Sequence, residues 1–163
     1  MIFAHTFQAV LDGRKNQTRR LVKPGDASYD DGFGYIVSVY RNERCVYDVG
    51  KTYAVQPGRG RKAVARIRIT DIRREDVREI SVEDVIAEGV ERRSEFLETW
   101  TQMHDKPAKS YLDCDLRGTA YRQTSNDIPL YVYSEWDNYL VRRPAERYAA
   151  WVIEFELVNG SAP

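Results

Sequence analysis

Two stretches of this chain alternate between apolar and polar residues, and they limit what it can fold into. In one, Ala63, Ala65, Ile67 and Ile69 fall on one face, while Lys62, Val64, Arg66, Arg68 and Thr70 fall on the other. In residues 151–158, Trp151, Ile153, Phe155 and Leu157 face one way and Glu154 and Glu156 the other. A period of two is the mark of a strand with one buried face. More β-forming runs lie between them. Residues 35–40 read as a strand, 41–43 as a turn, 44–48 as the return strand and 52–56 as another. Ile2 and Phe3 open a short first strand.

Helical periodicity is confined to short pieces. Phe7, Val10 and Leu11 predict one or two turns over 6–11. Ser81 is a good N-cap, with Asp84 at the capping-box position. Val82, Val85 and Ile86 make its apolar stripe, and Gly89 stops that helix. Ser94 caps a second helix to about His104, with Phe96, Leu97 and Trp100 on one face. Residues 26–34 are polar and glycine-rich and read as loop, and 71–79 as a charged lead into the helix. Residues 57–62 form a basic loop whose two glycines allow close backbone approach to a ligand. Within 105–149, residues 130–133 suggest a strand, and 136–141 and 145–150 suggest helical turns.

The length of 163 residues suits one domain over 1–158, followed by a loose tail at 159–163. No run is long enough for a membrane span, and no signal peptide is evident. Cys45 and Cys114 are too few for a disulfide framework. With two histidines they give no metal-ligand spacing. The reading is a cytoplasmic chain with no metal and no cofactor. Net charge is zero, but residues 59–74 hold seven basic residues and one acid, while 75–98 hold nine acids and three basic residues. A zero total argues against strong non-specific nucleic-acid binding, which depends on phosphate neutralisation. A local basic face remains open.

Residues 14–23 contain five basic residues and no acid. Asp12-Gly13 supplies a turn just before them. Lys15 and Thr18 are three apart, so a regular strand would send them to opposite faces. A tight turn running into a strand would let both serve one pocket. Gly13, Lys15, Thr18 and Arg20 reproduce the G-x-K-x-x-T-x-R motif, and the chain thereby resembles the ASCH domains, which are similar to PUA domains. Glu88-Gly89 matches the family's acid followed by Gly or Asn. The W-V-I-E-F pattern at 151–155 resembles its last strand. The resemblance spans residues 7–103 and 151–158, and leaves 105–149 as an insertion at one end of the site.

That resemblance implies a PUA-like β-barrel of about five to seven strands with peripheral helices. It also implies two kinds of function. The first is recognition of a nucleobase or single-stranded RNA. Thr18 and Glu88 would contact the base edge, Arg19, Arg20, Arg59, Arg61 and Lys62 would contact phosphate, and Tyr53 and Trp100 are candidates for stacking. The second is metal-independent hydrolysis of N4-acylated cytidine, with Lys15, Thr18 and Glu88 as catalytic residues. The residues alone permit that chemistry. A threonine hydroxyl needs a base, and a lysine crowded by positive charge favours its neutral form. Glu88, if close, would oppose that effect. A carboxylate at a helix C-terminus is itself unfavourable unless a cation faces it.

Overall fold

The structure is a computed structural model. It describes residues 1–4, 6–104, 111–113, 131–134, 139–142 and 148–158, with the backbone alone for 111–113, 131–134 and 139–142. In chain order the elements are α1 (Phe7–Leu11), β1 (Gln17–Leu21), β2 (Asp26–Asp30), β3 (Ile36–Arg41), β4 (Arg44–Asp48), β5 (Thr52–Val55) and β6 (Ala65–Asp76). A 3-10 turn (Val77–Glu79) leads to α2 (Val82–Ala87) and α3 (Arg93–His104). Then come β7 (Tyr111–Asp113), β8 (Tyr131–Ser134), β9 (Tyr139–Arg142) and β10 (Ala149–Leu157).

The two alternating runs are partners. β10 pairs antiparallel with β6 along its whole length, and β1 and β5 flank them in the order β1-β10-β6-β5. β6 runs on to Asp76 because the ladder carries a bulge. Phe155 pairs with Ile69 and Glu154 with Asp71, which leaves Thr70 as the extra residue. A bulge of this kind reverses the facing of everything beyond it. Ile67, Ile69 and Ile72 are therefore all buried, although the last step is three residues. Residues 71–76, expected as a charged lead, are strand for this reason.

The expected closed barrel is not what forms. The described strands make open antiparallel sheets: the four-stranded one, and a three-stranded meander β2-β3-β4. β7, β8 and β9 pair with one another in a third. The two edges of the four-stranded sheet meet no common partner strand. At the β1 edge, Asn16 N–H donates to Ala87 O at the end of α2 (3.1 Å). At the β5 edge, Phe3 N–H donates to Gln56 O (2.9 Å), beside an isolated bridge from Ile2 to Gln56. One contact between the edges is a side chain: Arg20 Nη2 donates to Ile2 O at 2.9 Å. The meander includes 26–30, expected as loop. It joins the larger sheet through Gly50 N–H to Ile69 O (2.8 Å).

β10 divides the interior. Trp151, Ile153, Ile69, Ile72 and Val39 form one cluster on one face, continuous in chain with Phe155, Ile67, Val55, Val10 and Phe3. Ala150 on the other face joins Val77, Ile80, Val85, Phe96, Leu97, Trp100 and Tyr148 under α2 and α3. Burial of side chains this size is worth roughly 1.5–3 kcal/mol each, so β10 is the strand on which the fold depends most. Of the expected α2 stripe only Val85 is buried; Val82 and Ile86 are exposed.

Candidate functional site

α1 ends at Asp12, and Gly13 takes φ +70, a conformation favoured by glycine. The chain doubles back, so that Lys15 N–H donates to Ala9 O (2.9 Å), and β1 starts as Phe155 N–H donates to Asn16 O (2.8 Å). From the other side comes α2. Its N-cap Ser81 accepts from Asp84 N–H at 3.1 Å, and its last turn delivers Glu88 to the Lys15 turn. Gly89 has φ +78, and a Cβ there would lie 3.2 Å from both Ala9 Cβ and Lys15 Cβ. The helix end approaches this closely because position 89 has no side chain.

The result is a buried ion pair. Lys15 Nζ donates to the Glu88 carboxylate and, at 2.7 Å, to the Glu88 carbonyl. Both side chains are about 95 % covered, with 4 % and 5 % exposure. The unfavourable carboxylate at a helix C-terminus thus faces the cation it requires. The Lys15 pKa is nonetheless lowered. Burial is the main cause, the Arg20 and Arg19 charges add to it, and together they outweigh the charge and hydrogen bond of Glu88. Crowding by the arginines is thus weaker than the pull of Glu88, and it is burial that favours proton loss.

The neighbours on β1 go opposite ways, as strand geometry demands. Arg19 pairs in register with Val152, and Thr18 and Arg20 with Ile153 and Trp151. The Arg19 side chain is fully buried among carboxylates. It donates to Glu75 through Nε (2.9 Å) and Nη2 (3.0 Å), to Asp84 through Nη2 (2.6 Å), and to Glu88 through Nη1 (3.4 Å). Gln17 donates to Asp84 (3.1 Å) and Glu154 (3.2 Å) and accepts from Arg19 at 2.6 Å. Arg73 also donates to Asp84 (2.7 Å) and to Glu154. Burial pushes the Glu75 carboxyl up despite Arg19, while Asp84 is held down by Gln17, Arg19 and Arg73 against its own desolvation.

Thr18 and Arg20 share the other face. Thr18 is buried, and its hydroxyl has no hydrogen-bond partner among the described residues. Arg20 lies over the Phe3 ring at 5.5 Å and meets no carboxylate among the described residues. Lys15 sits just before β1, and the charges of Arg20 and Arg19 both act on it. The structure thus joins Lys15, Glu88 and Arg19 directly. No hydrogen bond connects them to Thr18.

The remaining candidates lie elsewhere. Arg59, Arg61 and Lys62 are exposed in the turn between β5 and β6, where Gln56 Nε2 donates to Arg61 O (3.1 Å). This turn is at the same end of the sheet as the Lys15 turn but on the opposite edge. Tyr53 is half-buried against core residues. Trp100 has 2 % exposure and packs against Phe96 and His104, so its ring is covered. His104, at the end of α3, is half-buried, and its pKa is held down by burial and by the charges of Arg20 and Lys23. No group of His, Cys, Asp and Glu among the described residues could hold a metal ion. No described helix is long and apolar enough to cross a membrane.

No protein-family model matches the chain. Curated protein sequences also give no match. Solved structures do. A protein of family DUF984 from Enterococcus faecalis V583 is 17% identical, with a TM-score of 0.46, over 93% of this chain and 69% of that one. An ASCH domain from Lactobacillus crispatus JV V101 is 12% identical, with the same TM-score of 0.46 and the same coverages of 93% and 69%.

Proposed function

We propose that the Thr18 face of β1 recognises a nucleobase, and that Lys15, Thr18 and Glu88 hydrolyse N4-acylated cytidine nucleosides. One observation supports the catalytic part: Lys15 Nζ donates to both the carboxylate and the carbonyl of Glu88, with both side chains buried. Burial lowers the Lys15 pKa, the direction a proton acceptor requires. The Thr18 hydroxyl, without a hydrogen-bond partner among the described residues, supports the recognition part as an available donor and acceptor.

The proposed reaction has two halves. Neutral Lys15 takes the Thr18 proton as Oγ1 bonds to the acyl carbonyl carbon. The C–N bond then breaks, and the cytosine amine leaves with the proton from Lys15. Water, deprotonated by Lys15, cleaves the threonyl ester, releases the carboxylic acid and restores the hydroxyl. Glu88, between Lys15 and Arg19, fixes the lysine and balances its charge when protonated.

A liquid-chromatography assay of cytidine released from N4-acetylcytidine tests this. Lys15→Ala, Thr18→Ala and Glu88→Ala are each expected to slow the chemical step by roughly 10²–10⁴-fold, and Thr18→Ser to keep part of the rate. The losses are not expected to add, because residues acting as a unit fail together. Equal rates in wild type and Lys15→Ala remove the catalytic assignment. Release no faster than in buffer, over several N4-acylcytidines, leaves recognition alone.

A further inference from the structure

We propose that the β2–β3 hairpin tip of one copy of this chain docks on the basic turn between β5 and β6 of a second copy. The inference is independent of the cytidine chemistry above and uses none of its residues.

The first observation is an aromatic tip that the core does not use. Residues 27–35 are all exposed. Phe33 has 88% exposure, Tyr35 69% and Tyr29 58%, and Val37 just beyond them has 37%. Large apolar side chains scattered singly are ordinary on a surface, but four within nine residues mark an interaction site. The tip is also held in shape. Asp31 N–H donates to Tyr35 O (3.0 Å), and the Asp31 carboxylate accepts from Phe33 N–H (2.8 Å) and Tyr35 N–H (3.2 Å). Asp30 accepts from Gly32 N–H at 2.8 Å. Tyr29 rests edge-on against Tyr40, with 5.2 Å between centroids. A preformed tip loses little entropy when it docks.

The second observation is charge, and it selects the occupant. Residues 26–40 contain no lysine or arginine. Asp26 is neutralised by Arg41, whereas Asp30 and Asp31 are in no ion pair among the described residues. Two such carboxylates beside the aromatic rings repel phosphate and favour a cationic surface. The same chain supplies one. Arg59, Arg61 and Lys62 are exposed, make no ion pair among the described residues, and have no acid beside them in residues 57–64. Val64, 37% exposed, adds apolar surface next to them. This turn is fixed as well: Arg61 N–H donates to Gly58 O at 3.2 Å, and Gln56 Nε2 to Arg61 O. Guanidinium groups also stack on aromatic faces, so Arg59 and Arg61 can meet Phe33 and Tyr35 as well as the acids. Tip and turn lie on different sheets, and no ion pair among the described residues joins them within one chain. Each copy offers both halves of the contact.

Sedimentation velocity of the full chain, from micromolar to millimolar concentration, tests the proposal. The sedimentation coefficient is expected to rise with concentration, and added salt should weaken that rise. Phe33→Ser removes an exposed ring from the tip without touching the core, and Arg59→Ala with Arg61→Ala removes cations from the turn. Each variant is expected to associate roughly ten- to thirty-fold more weakly, the loss for a central anchor residue. Mixed in equal amounts, the two variants keep one intact tip and one intact turn between them, so the mixture should recover association that neither shows alone. A wild type that stays monomeric throughout overturns the proposal, as does association that survives undiminished in either variant. A mixture no more associated than its parts overturns the pairing of tip with turn. Weaker binding of a uridine oligonucleotide by the Arg59/Arg61 variant, with self-association unchanged, overturns it in favour of RNA on the turn.

Discussion

Residues 14–23 and 59–74 look alike as sequence, since each is a dense run of arginine and lysine. In the folded chain they are different materials. In the first run Lys15 and Arg19 are buried and paired with acids from α2 and β6, while Arg20 is left without one among the described residues. In the second, Arg59, Arg61, Lys62 and Arg74 are exposed, Arg68 makes a surface pair with Glu156, and only Arg73 enters the buried network. A solvated cation costs little to keep or to lose. A buried one carries a desolvation cost that its partners must offset. Charge density along the chain therefore says little about where charge matters.

The sharpest test of this contrast is thermodynamic. Arg19→Met leaves Glu75, Asp84 and Glu88 facing one another, and is expected to cost about 3–5 kcal/mol. Arg59→Ala and Arg61→Ala should each stay within about 0.5 kcal/mol of wild type. Urea unfolding measures both, and similar losses at the two places would erase the distinction. Next in size is Gly89→Ala. It forces a side chain into a left-handed backbone at a cost of about 1–2 kcal/mol. It also presses on Lys15 Cβ, so activity should fall by more than stability explains. A Gly89→Ala protein of unchanged stability and rate would mean that the close approach of α2 is incidental.

The smallest effect is one of pH. Lys15 binds its proton less tightly folded than unfolded. Its contribution to stability is therefore fully present above the ordinary lysine pKa and is lost as pH falls through the lowered folded value. Between those two values the wild type should gain stability with rising pH relative to Lys15→Met. Parallel curves for the two proteins through mildly alkaline pH would show that burial of Lys15 has no effect on its proton.

Much of the α+β architecture was legible, for local reasons. The return strand at 44–48, the Ser81 cap, the Gly89 stop and the helix ending at His104 each follow from propensity and punctuation. The misses share a different cause. Residues 26–30 form a strand that is mostly exposed, so no apolar alternation marks it. The alternation of β6 breaks at Thr70 because a bulge shifts its phase, and a bulge needs its partner strand to be seen. Closure into a barrel depends on which strands meet at the edges, a non-local fact. At the site, the motif supplied Lys15 and the helix stop supplied Glu88, which pair; no hydrogen bond joins Thr18 to them. The parting of Arg19 from Arg20 follows from the period of two once 17–21 is taken as strand, so it was within reach.

The Arg20 to Ile2 bond has a consequence for how the two edges of the sheet hold together. A closed barrel resists opening, because every gap breaks several backbone bonds at once. Here, among the described residues, a guanidinium on a flexible stem reaches from β1 to one carbonyl beside β5. Such a contact can part and reseal by a change of rotamer while the backbone ladders stay intact.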